Sequence, residues 1–195
     1  MGRRIGLFGG TFDPPHMGHL AAAVSAKKAL DLDEVLLVVA NDPWQKSGQR
    51  PITDAQHRLA MTELLVENED GIEASDAEIV RGGESYMIDT VNDMCRQGHE
   101  ITLIVGADVA AGLETWERSD QLRQLVRLAV VDRPGYVLSS LDGWLMERVA
   151  AQPKEISSSE LREQMSEGVS IYDSLSASVR GYIDDHQLAW ESHDK

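Results

Sequence analysis

Aliphatic, strand-like runs alternate with helix-like stretches along the chain, and this alternation most restricts the folds open to it. Val35 to Ala40 is an uninterrupted aliphatic run, typical of a strand buried on both faces of a sheet. Helix-like patterns follow the first two such runs, from about Gly18 to Leu32 and from Thr53 to Glu67. The pattern predicts an α/β fold, a doubly wound parallel sheet with helices on both faces.

The length of the chain suits one domain of this kind. No composition break marks a linker within the 195 residues, so we expect a single domain over residues 1–195. Its C-terminal part, from about residue 157, is predicted to be helical, because Ser157 or Ser158 can cap a helix that runs to about Glu167. Residues 137–154 show no readable pattern.

The charge balance and the apolar runs exclude several classes of protein. The chain has 18 basic and 33 acidic residues, a formal net charge of −15, which argues against binding DNA or RNA over a broad basic surface. Its apolar runs are far shorter than the roughly 20 residues that cross a bilayer. The single cysteine, Cys95, fits a reducing cytoplasm. We therefore expect a cytoplasmic protein that binds neither nucleic acid nor membrane; a small phosphorylated substrate stays compatible with this charge.

The stretch GGTFDPPHMGHL, residues 9–20, combines features of a phosphate site. Its two glycines follow the first predicted strand, Arg4 to Phe8, and allow the backbone to approach a ligand closely. The helix predicted from Gly18 directs its first N–H groups towards the same place. In parallel sheets, ligands bind beyond the carboxyl ends of the strands, which is where this stretch falls.

Two histidines in this stretch, His16 and His19, share one face of a helical turn. Imidazoles aimed at phosphate oxygens can donate hydrogen bonds to charge that grows in a transition state. The alternatives are two partly exposed histidines at a helix start, and a metal site, for which no third histidine or cysteine has a suitable spacing nearby.

Two further stretches are suited to contacting phosphates. Lys46 lies in the loop predicted after the second strand, where a flexible cation can close over phosphates, although most loop lysines are only solvated. Ser157, Ser158 and Ser159 offer hydroxyl and N–H groups at a helix start, with Arg162 one turn further on. An ordinary N-cap followed by a surface arginine has the same pattern.

Together these motifs resemble those of the nucleotidyltransferase superfamily that carries His-x-Gly-His on a Rossmann-like fold. Within it, the chain is most similar to the bacterial nicotinate-nucleotide adenylyltransferases. Five stretches carry the resemblance in the family's order and span almost the whole chain. They are GGTFDPPHMGHL (9–20), PWQK (43–46), SYMIDT (85–90), GAD (106–108) with Leu113 and Trp116, and ISSSELR (156–162).

The resemblance implies that the adenylyl group of ATP is transferred to nicotinate mononucleotide. The products would be nicotinate adenine dinucleotide and pyrophosphate, a step of NAD biosynthesis. It assigns catalysis to His16, His19, Lys46 and Arg162. It implies a magnesium cofactor held mainly by phosphates, with Asp13 near it, and leaves a homo-oligomer open.

The resemblance also assigns the ligand contacts. Asp108 would accept from ribose hydroxyls, and Thr90 and Trp116 would hold the pyridine ring and its carboxylate, Trp116 by stacking. From the residues alone, Trp116 is a core tryptophan and Asp108 a helix cap. The ATP-binding set is Gly9, Gly10, Thr11, Phe12, Gly106, Asp108, Arg133, Ser157, Ser158 and Ser159; the mononucleotide-binding set is Ser85, Tyr86, Thr90 and Trp116.

Two alternatives to this function stay open. Phosphopantetheine adenylyltransferases share the first motif, but their chains are usually shorter and lack the SYMIDT and GAD…Trp elements. A catalytically silent nucleotide-binding module on the same fold is the other alternative. The presence of His16, His19, Lys46 and Arg162 argues against such a loss of activity.

Overall fold

Six parallel strands form the centre of the protein in the computed structural model, which describes residues 2–43, 51–133, 136, 140–150, 156–167 and 174–190. The strands are β1 (Arg4–Gly10), β2 (Glu34–Val39), β3 (Ile72–Ser75), β4 (Glu100–Gly106), β5 (Val126–Val131) and β6 (Met146–Val149). Their order in the sheet is β3-β2-β1-β4-β5-β6. All neighbouring pairs are parallel, which confirms the predicted doubly wound sheet.

Helices cover both faces of this sheet. They are α1 (Met17–Ala29), α2 (Ala55–Val66), α3 (Ala77–Arg81), α4 (Met87–Arg96), α5 (Ala107–Ala110), α6 (Ser119–Leu125), α7 (Ser158–Ser166) and α8 (Ala177–Asp185), with a 3₁₀ turn at Leu113–Thr115. Successive side chains of a strand point to opposite faces of the sheet, so the strands contribute to two separate hydrophobic cores. Val35 and Leu37 pack in the core on the side of α1, α2 and α8. Val38 packs on the opposite side, with α4 and α6. No helix among the described residues is long and apolar enough to cross a membrane.

The structure differs from the predicted elements at three places. β1 continues to Gly10 instead of ending at Phe8, because the Gly10 carbonyl still accepts from the Ala40 N–H at 3.0 Å. The unreadable stretch 137–154 contains β6, an edge strand in which only one of four residues is buried, so it lacks the pattern of a buried strand. The helix predicted from Thr53 begins slightly later, because Asp54 is the N-cap of α2 and Ala55 its first residue.

The strand order places a binding crevice at one edge of the sheet. β1 and β4 lie side by side at the centre of the sheet. β2 and β3 continue the sheet beyond β1, and β5 and β6 continue it beyond β4. In a sheet of this kind the crevice opens beyond the carboxyl ends of the two central strands. Those ends are Gly10 and Gly106, and both belong to the predicted ATP-binding set.

Candidate active site

The loop after β1, residues 11–16, is buried, so its backbone groups need partners inside the protein. Arg162 donates from one Nη to the Asp13 carbonyl at 2.7 Å, and the Ser158 hydroxyl donates to the Pro14 carbonyl at 3.0 Å. The first turn of α7 is thereby held against this loop. The structure thus brings together two of the predicted phosphate-binding stretches, which lie more than 140 residues apart in the chain.

His16, the last residue of this loop, and His19, in the first turn of α1, form a reciprocal cap at the start of the helix. His16 Nδ1 accepts from the Gly18 N–H at 3.1 Å, and His19 Nδ1 accepts from the His16 N–H at 3.2 Å. Their rings stack with centroids 3.7 Å apart. The Phe12 ring packs edge-on against His19, at 5.0 Å between centroids. The spacing predicted that the imidazoles share a face, and the structure confirms it.

These hydrogen bonds decide the protonation of both imidazoles. Because each Nδ1 accepts from a backbone N–H, the proton of each ring is assigned to Nε2. Burial, and secondly the positive charge of Arg133, lower the pKa of His16 to about 3. His16 is therefore neutral at physiological pH. The pair offers two Nε2–H donors of fixed orientation, the type of group that stabilises charge on a phosphate.

Asp108 and Arg133 pair at the carboxyl end of β4. The Arg133 guanidinium binds one carboxylate oxygen of Asp108 and donates to the Ile156 carbonyl at 3.1 Å. The other oxygen, Oδ1, is buried and has no hydrogen-bond partner among the described residues. A buried acceptor without a partner costs about 1–3 kcal/mol, so this oxygen is suited to accept from a ligand hydroxyl or amino group.

The serines at the start of α7 have partners within the protein. Ser157 is the N-cap and forms a capping box with Glu160, whose carboxylate accepts from the Ser157 N–H at 2.9 Å. Ser159 accepts from the second Nη of Arg162 at 2.9 Å. The helix start at this position was predicted, and the capping box explains it, because the Ser-x-x-Glu spacing satisfies donors at the N-terminus of a helix.

Asp13, which the resemblance placed near magnesium, is a buried residue of the loop after β1. Its Oδ1 accepts from the indole N–H of Trp190 at 2.9 Å. Trp190 belongs to the core on the α1 side and is one of the last described residues of the chain. The sequence alone does not reveal this contact, because nothing local links residues 177 positions apart.

A cavity of about 200 Å³ lies between the end of β1 and the start of α4. Three of the four residues predicted to bind the mononucleotide line it, namely Ser85, Tyr86 and Trp116. Glu84 accepts from the Tyr86 hydroxyl at 2.5 Å, and this bond raises the pKa of Tyr86 to about 12. The full lining consists of Gly9, Gly10, Thr11, Ala40, Pro43, Glu78, Ser85, Tyr86, Met87, Val109, Trp116, Glu117 and Leu122.

Thr90, the fourth predicted residue, is fully buried behind this cavity. Its hydroxyl accepts from Arg81 at 3.0 Å and donates to Glu78 at 3.1 Å. The Ser85 hydroxyl accepts from the Asn41 N–H at 2.8 Å and also hydrogen-bonds Glu78. Burial raises the pKa of Glu78, against the two hydroxyl hydrogen bonds. Glu78, which the sequence analysis missed, therefore connects both predicted residues and itself lines the cavity.

Arg58 is the second residue that the sequence analysis missed. It lies at the base of the site and is the largest of the fully buried side chains. Its signal in the sequence is a charge on a buried stripe, because Met61 and Leu65 follow it at the spacing of one helix face. Lys46, by contrast, was predicted as catalytic but lies outside the described residues.

Comparison with known proteins identifies the class to which this site belongs. The family model described as cytidylyltransferase-like matches residues 7–164, from β1 through most of α7. The chain therefore belongs to the cytidylyltransferase-like family of nucleotidyltransferases. The match covers both the β1 loop with its two histidines and the Ser157–Arg162 stretch.

Similar sequences and solved structures show to which group within this family the chain belongs. The chain is 38% identical to the "Probable nicotinate-nucleotide adenylyltransferase" of Bordetella petrii, over 95% of this chain and 98% of that protein. It is also 38% identical to the protein of the same name from Thermus thermophilus, with the same coverage. A solved structure with the same fold is that of Plasmodium falciparum nicotinic acid mononucleotide adenylyltransferase complexed with NaAD. The two structures align with a TM-score of 0.81 and 17% sequence identity, over 95% of this chain and 97% of that one. Within its family, the chain is a member of the nicotinate-nucleotide adenylyltransferases.

Proposed function

We infer that this protein transfers the adenylyl group of ATP to nicotinate mononucleotide and releases pyrophosphate. The relatives that cover nearly its whole length carry this activity in their names. The observation on which the inference rests is the stacked imidazole pair at the start of α1, in which His16 is neutral. The Phe12 ring, which packs against His19, also lies beside Gly10, and Gly10 lines the cavity together with Trp116.

The reaction needs no nucleophile from the protein. A phosphate oxygen of the mononucleotide attacks the α-phosphorus of ATP, a new P–O bond forms, and the bond to the β-phosphate oxygen breaks to release pyrophosphate. The attacking phosphate is already ionised at neutral pH, so no general base is required. Catalysis then depends on positioning and on stabilising the charge that develops at the α-phosphate.

We assign that stabilisation to the donors around the β1 loop. The Nε2–H groups of His16 and His19 donate to the α-phosphate oxygens, and His16 does so as a neutral ring. Arg162, held at the Asp13 carbonyl, and Lys46 supply positive charge for the remaining phosphates. Arginine and lysine are needed for this purpose because the chain as a whole carries a net charge of −15.

The two ends of the ATP–mononucleotide pair occupy different parts of the crevice. We place the adenosine at the end of β4, where the unpartnered Oδ1 of Asp108 can accept from a ribose hydroxyl. We place the pyridine ring in the cavity, stacked on Trp116. Discrimination of the ring's carboxylate from a carboxamide requires donors aimed at both oxygens, since an amide would turn its NH₂ group towards one of them. Backbone N–H groups near Trp116 are the donors we propose. The Thr90 hydroxyl cannot serve directly, because its proton is donated to Glu78.

Magnesium is the proposed cofactor, bound through the substrates. The described residues bring together no group of three histidine, cysteine or carboxylate side chains that would hold a metal ion. The Asp13 carboxylate is buried against Trp190. A magnesium ion held mainly by ATP phosphates fits this donor set, and when bound it would neutralise part of the triphosphate charge. We expect the reaction to take place in the cytoplasm.

The function is tested by supplying ATP, magnesium and one acceptor at a time. The acceptors are nicotinate mononucleotide, nicotinamide mononucleotide and phosphopantetheine, and pyrophosphate release and the dinucleotide product are both measured. We expect nicotinate mononucleotide to have the highest specificity constant. The His19→Ala variant, prepared identically, controls for a contaminating enzyme.

Each other outcome contradicts a separate part of the proposal. Equal specificity constants for the acid and the amide would contradict the acid-selective site but not adenylyl transfer. A preference for phosphopantetheine would identify the alternative enzyme. No pyrophosphate with any acceptor would identify a silent nucleotide-binding module.

A further inference from the structure

The guanidinium of Arg58 holds three backbone carbonyls from three separate stretches of chain. Its Nε donates to the Thr53 carbonyl at 2.7 Å, and its two Nη atoms donate to those of Thr11 at 2.8 Å and Asn41 at 3.0 Å. Only 1% of the residue is exposed. A charge buried so completely is tolerated when its donors are satisfied, which these carbonyls achieve.

The positions of these carbonyls connect Arg58 to the active site. Thr11 lies in the loop that leads from β1 to His16 and also lines the cavity. Asn41 and Thr53 stand at the two ends of the stretch between β2 and α2, the stretch that contains Lys46 in the sequence. Parallel pairing between β1 and β2 reaches as far as the bond from Ala40 to Gly10. Arg58 joins the segments that follow β1 and β2 at Thr11 and Asn41, the residues immediately beyond that bond.

We propose that Arg58 is a positioning residue for adenylyl transfer. It fixes the β1 loop, which leads to His16, against Asn41 and Thr53. The inference rests on the proposed function, to which it adds a residue that touches neither substrate. Its physical basis is that errors of about 1 Å in the placement of reacting groups can lower the rate about 100-fold.

The shape of the side chain is essential to this role, not only its charge. A guanidinium is planar and donates in fixed directions from several nitrogens, so it can reach carbonyls on three sides. A lysine ammonium donates from a single point and cannot hold three carbonyls that surround that plane. Arg58→Lys therefore keeps the charge and removes the geometry.

The main test compares Arg58→Lys with a control on the same helix. Leu65 is buried on α2, so Leu65→Ala lowers stability without removing a hydrogen bond to either loop. We expect Arg58→Lys to lower kcat about 100-fold while KM for both substrates changes less than about threefold. Leu65→Ala should leave kcat within about twofold at temperatures where both variants are folded.

A second readout does not require activity. Backbone amide hydrogen exchange in residues 10–16 and 41–43 should be faster in Arg58→Lys than in Leu65→Ala, because those stretches lose their shared anchor. This measurement separates the two inferences. A wild-type protein without adenylyl transfer would contradict the proposed function, and faster exchange in the variant would still support the anchor.

Two results would overturn the role of Arg58. One is a kcat of Arg58→Lys within about twofold of Leu65→Ala, with unchanged exchange in both stretches. The other covers the case in which Arg58→Lys does not fold. In wild-type protein labelled with ¹⁵N-arginine, the guanidinium protons of Arg58 should then exchange slowly with water, and fast exchange would show that they do not hold the carbonyls.

Discussion

Gly18, the second residue of α1, stands directly against the His16 ring, and adding one methyl group there should disable the site. A Cβ at position 18 would lie 2.9 Å from His16 Nδ1 and 3.0 Å from its Cε1. Ordinary van der Waals contact begins at 3.4 Å, so the added Cβ would lie 0.5 Å too close to His16 Nδ1. The ring cannot withdraw freely, because it is 4% exposed and stacked on His19. Gly18→Ala therefore displaces the His16 imidazole.

The cost of this displacement falls on catalysis much more than on folding. Loss of one preorganised donor to a developing oxyanion lowers kcat about 100-fold or more. We expect about 100-fold for Gly18→Ala, which is about 2.7 kcal/mol of transition-state stabilisation. Folding is affected in two opposite directions: alanine favours a helix over glycine by about 0.5–1 kcal/mol, and strain in the His16 cap costs about 1 kcal/mol. The free energy of unfolding should therefore stay close to the wild-type value.

Gly181 in α8 offers a matched control for this substitution. It is also a helical glycine, but apart from its chain neighbours and the backbone of its own helix, no heavy atom of the described residues lies within 4 Å of an added Cβ. Gly181→Ala should raise the free energy of unfolding by about 0.5–1 kcal/mol and leave kcat unchanged. Steady-state kinetics with both substrates and urea unfolding of the two variants provide the comparison.

A Gly18→Ala variant with wild-type kcat would refute the reasoning, because the displaced ring would then have no effect on the rate. The same holds if the variant loses stability as expected of a core clash while each folded molecule keeps full activity. In either case the position of the His16 ring would not determine catalysis.

Three further predictions follow from the same contacts. His19→Ala should lower kcat about 100-fold with little change in KM, measured by steady-state kinetics; near-normal turnover would remove His19 from the mechanism. The pKa of His16 is about 3 in the folded protein, against an ordinary value of 6.5 for an exposed histidine. Between these two values the unfolded state binds one more proton, so the free energy of unfolding falls as the pH decreases through that window. Chemical denaturation from pH 6 to pH 4 should show that the free energy of unfolding of the wild type falls by up to about 1.4 kcal/mol per pH unit, a loss that is absent in His16→Asn. If the free energy of unfolding changed equally with pH in both proteins, the burial of a neutral His16 ring would be contradicted. Trp190→Phe keeps an aromatic ring but removes the indole N–H that donates to the buried Asp13 carboxylate. Urea unfolding should show a free energy of unfolding lower by about 1–3 kcal/mol. An unchanged midpoint would show that this hydrogen bond does not contribute to stability.

The sequence by itself determined the architecture and the chemistry of the β1 loop. Aliphatic runs such as β2 are recognisable because a strand buried on both faces needs a continuous apolar stretch. His16 and His19 could be paired from spacing alone, because a helical turn places residues three apart on one face. The start of α7 was likewise predictable from a serine cap. All these features depend on neighbours within a few residues of each other.

Only the tertiary structure decided how the distant parts of the site support one another. The bonds from Arg162 and Ser158 to the β1 loop, and from Trp190 to Asp13, join residues 144 to 177 positions apart. No periodicity or local spacing encodes such contacts, because they arise when separately formed elements pack around one sheet. Arg58 shows the same limit most clearly: its sequence signal is a charge on an apolar helix face, while its three acceptors are backbone carbonyls that every residue possesses. Which carbonyls it binds depends on where the chain turns, and the fold alone sets those turns.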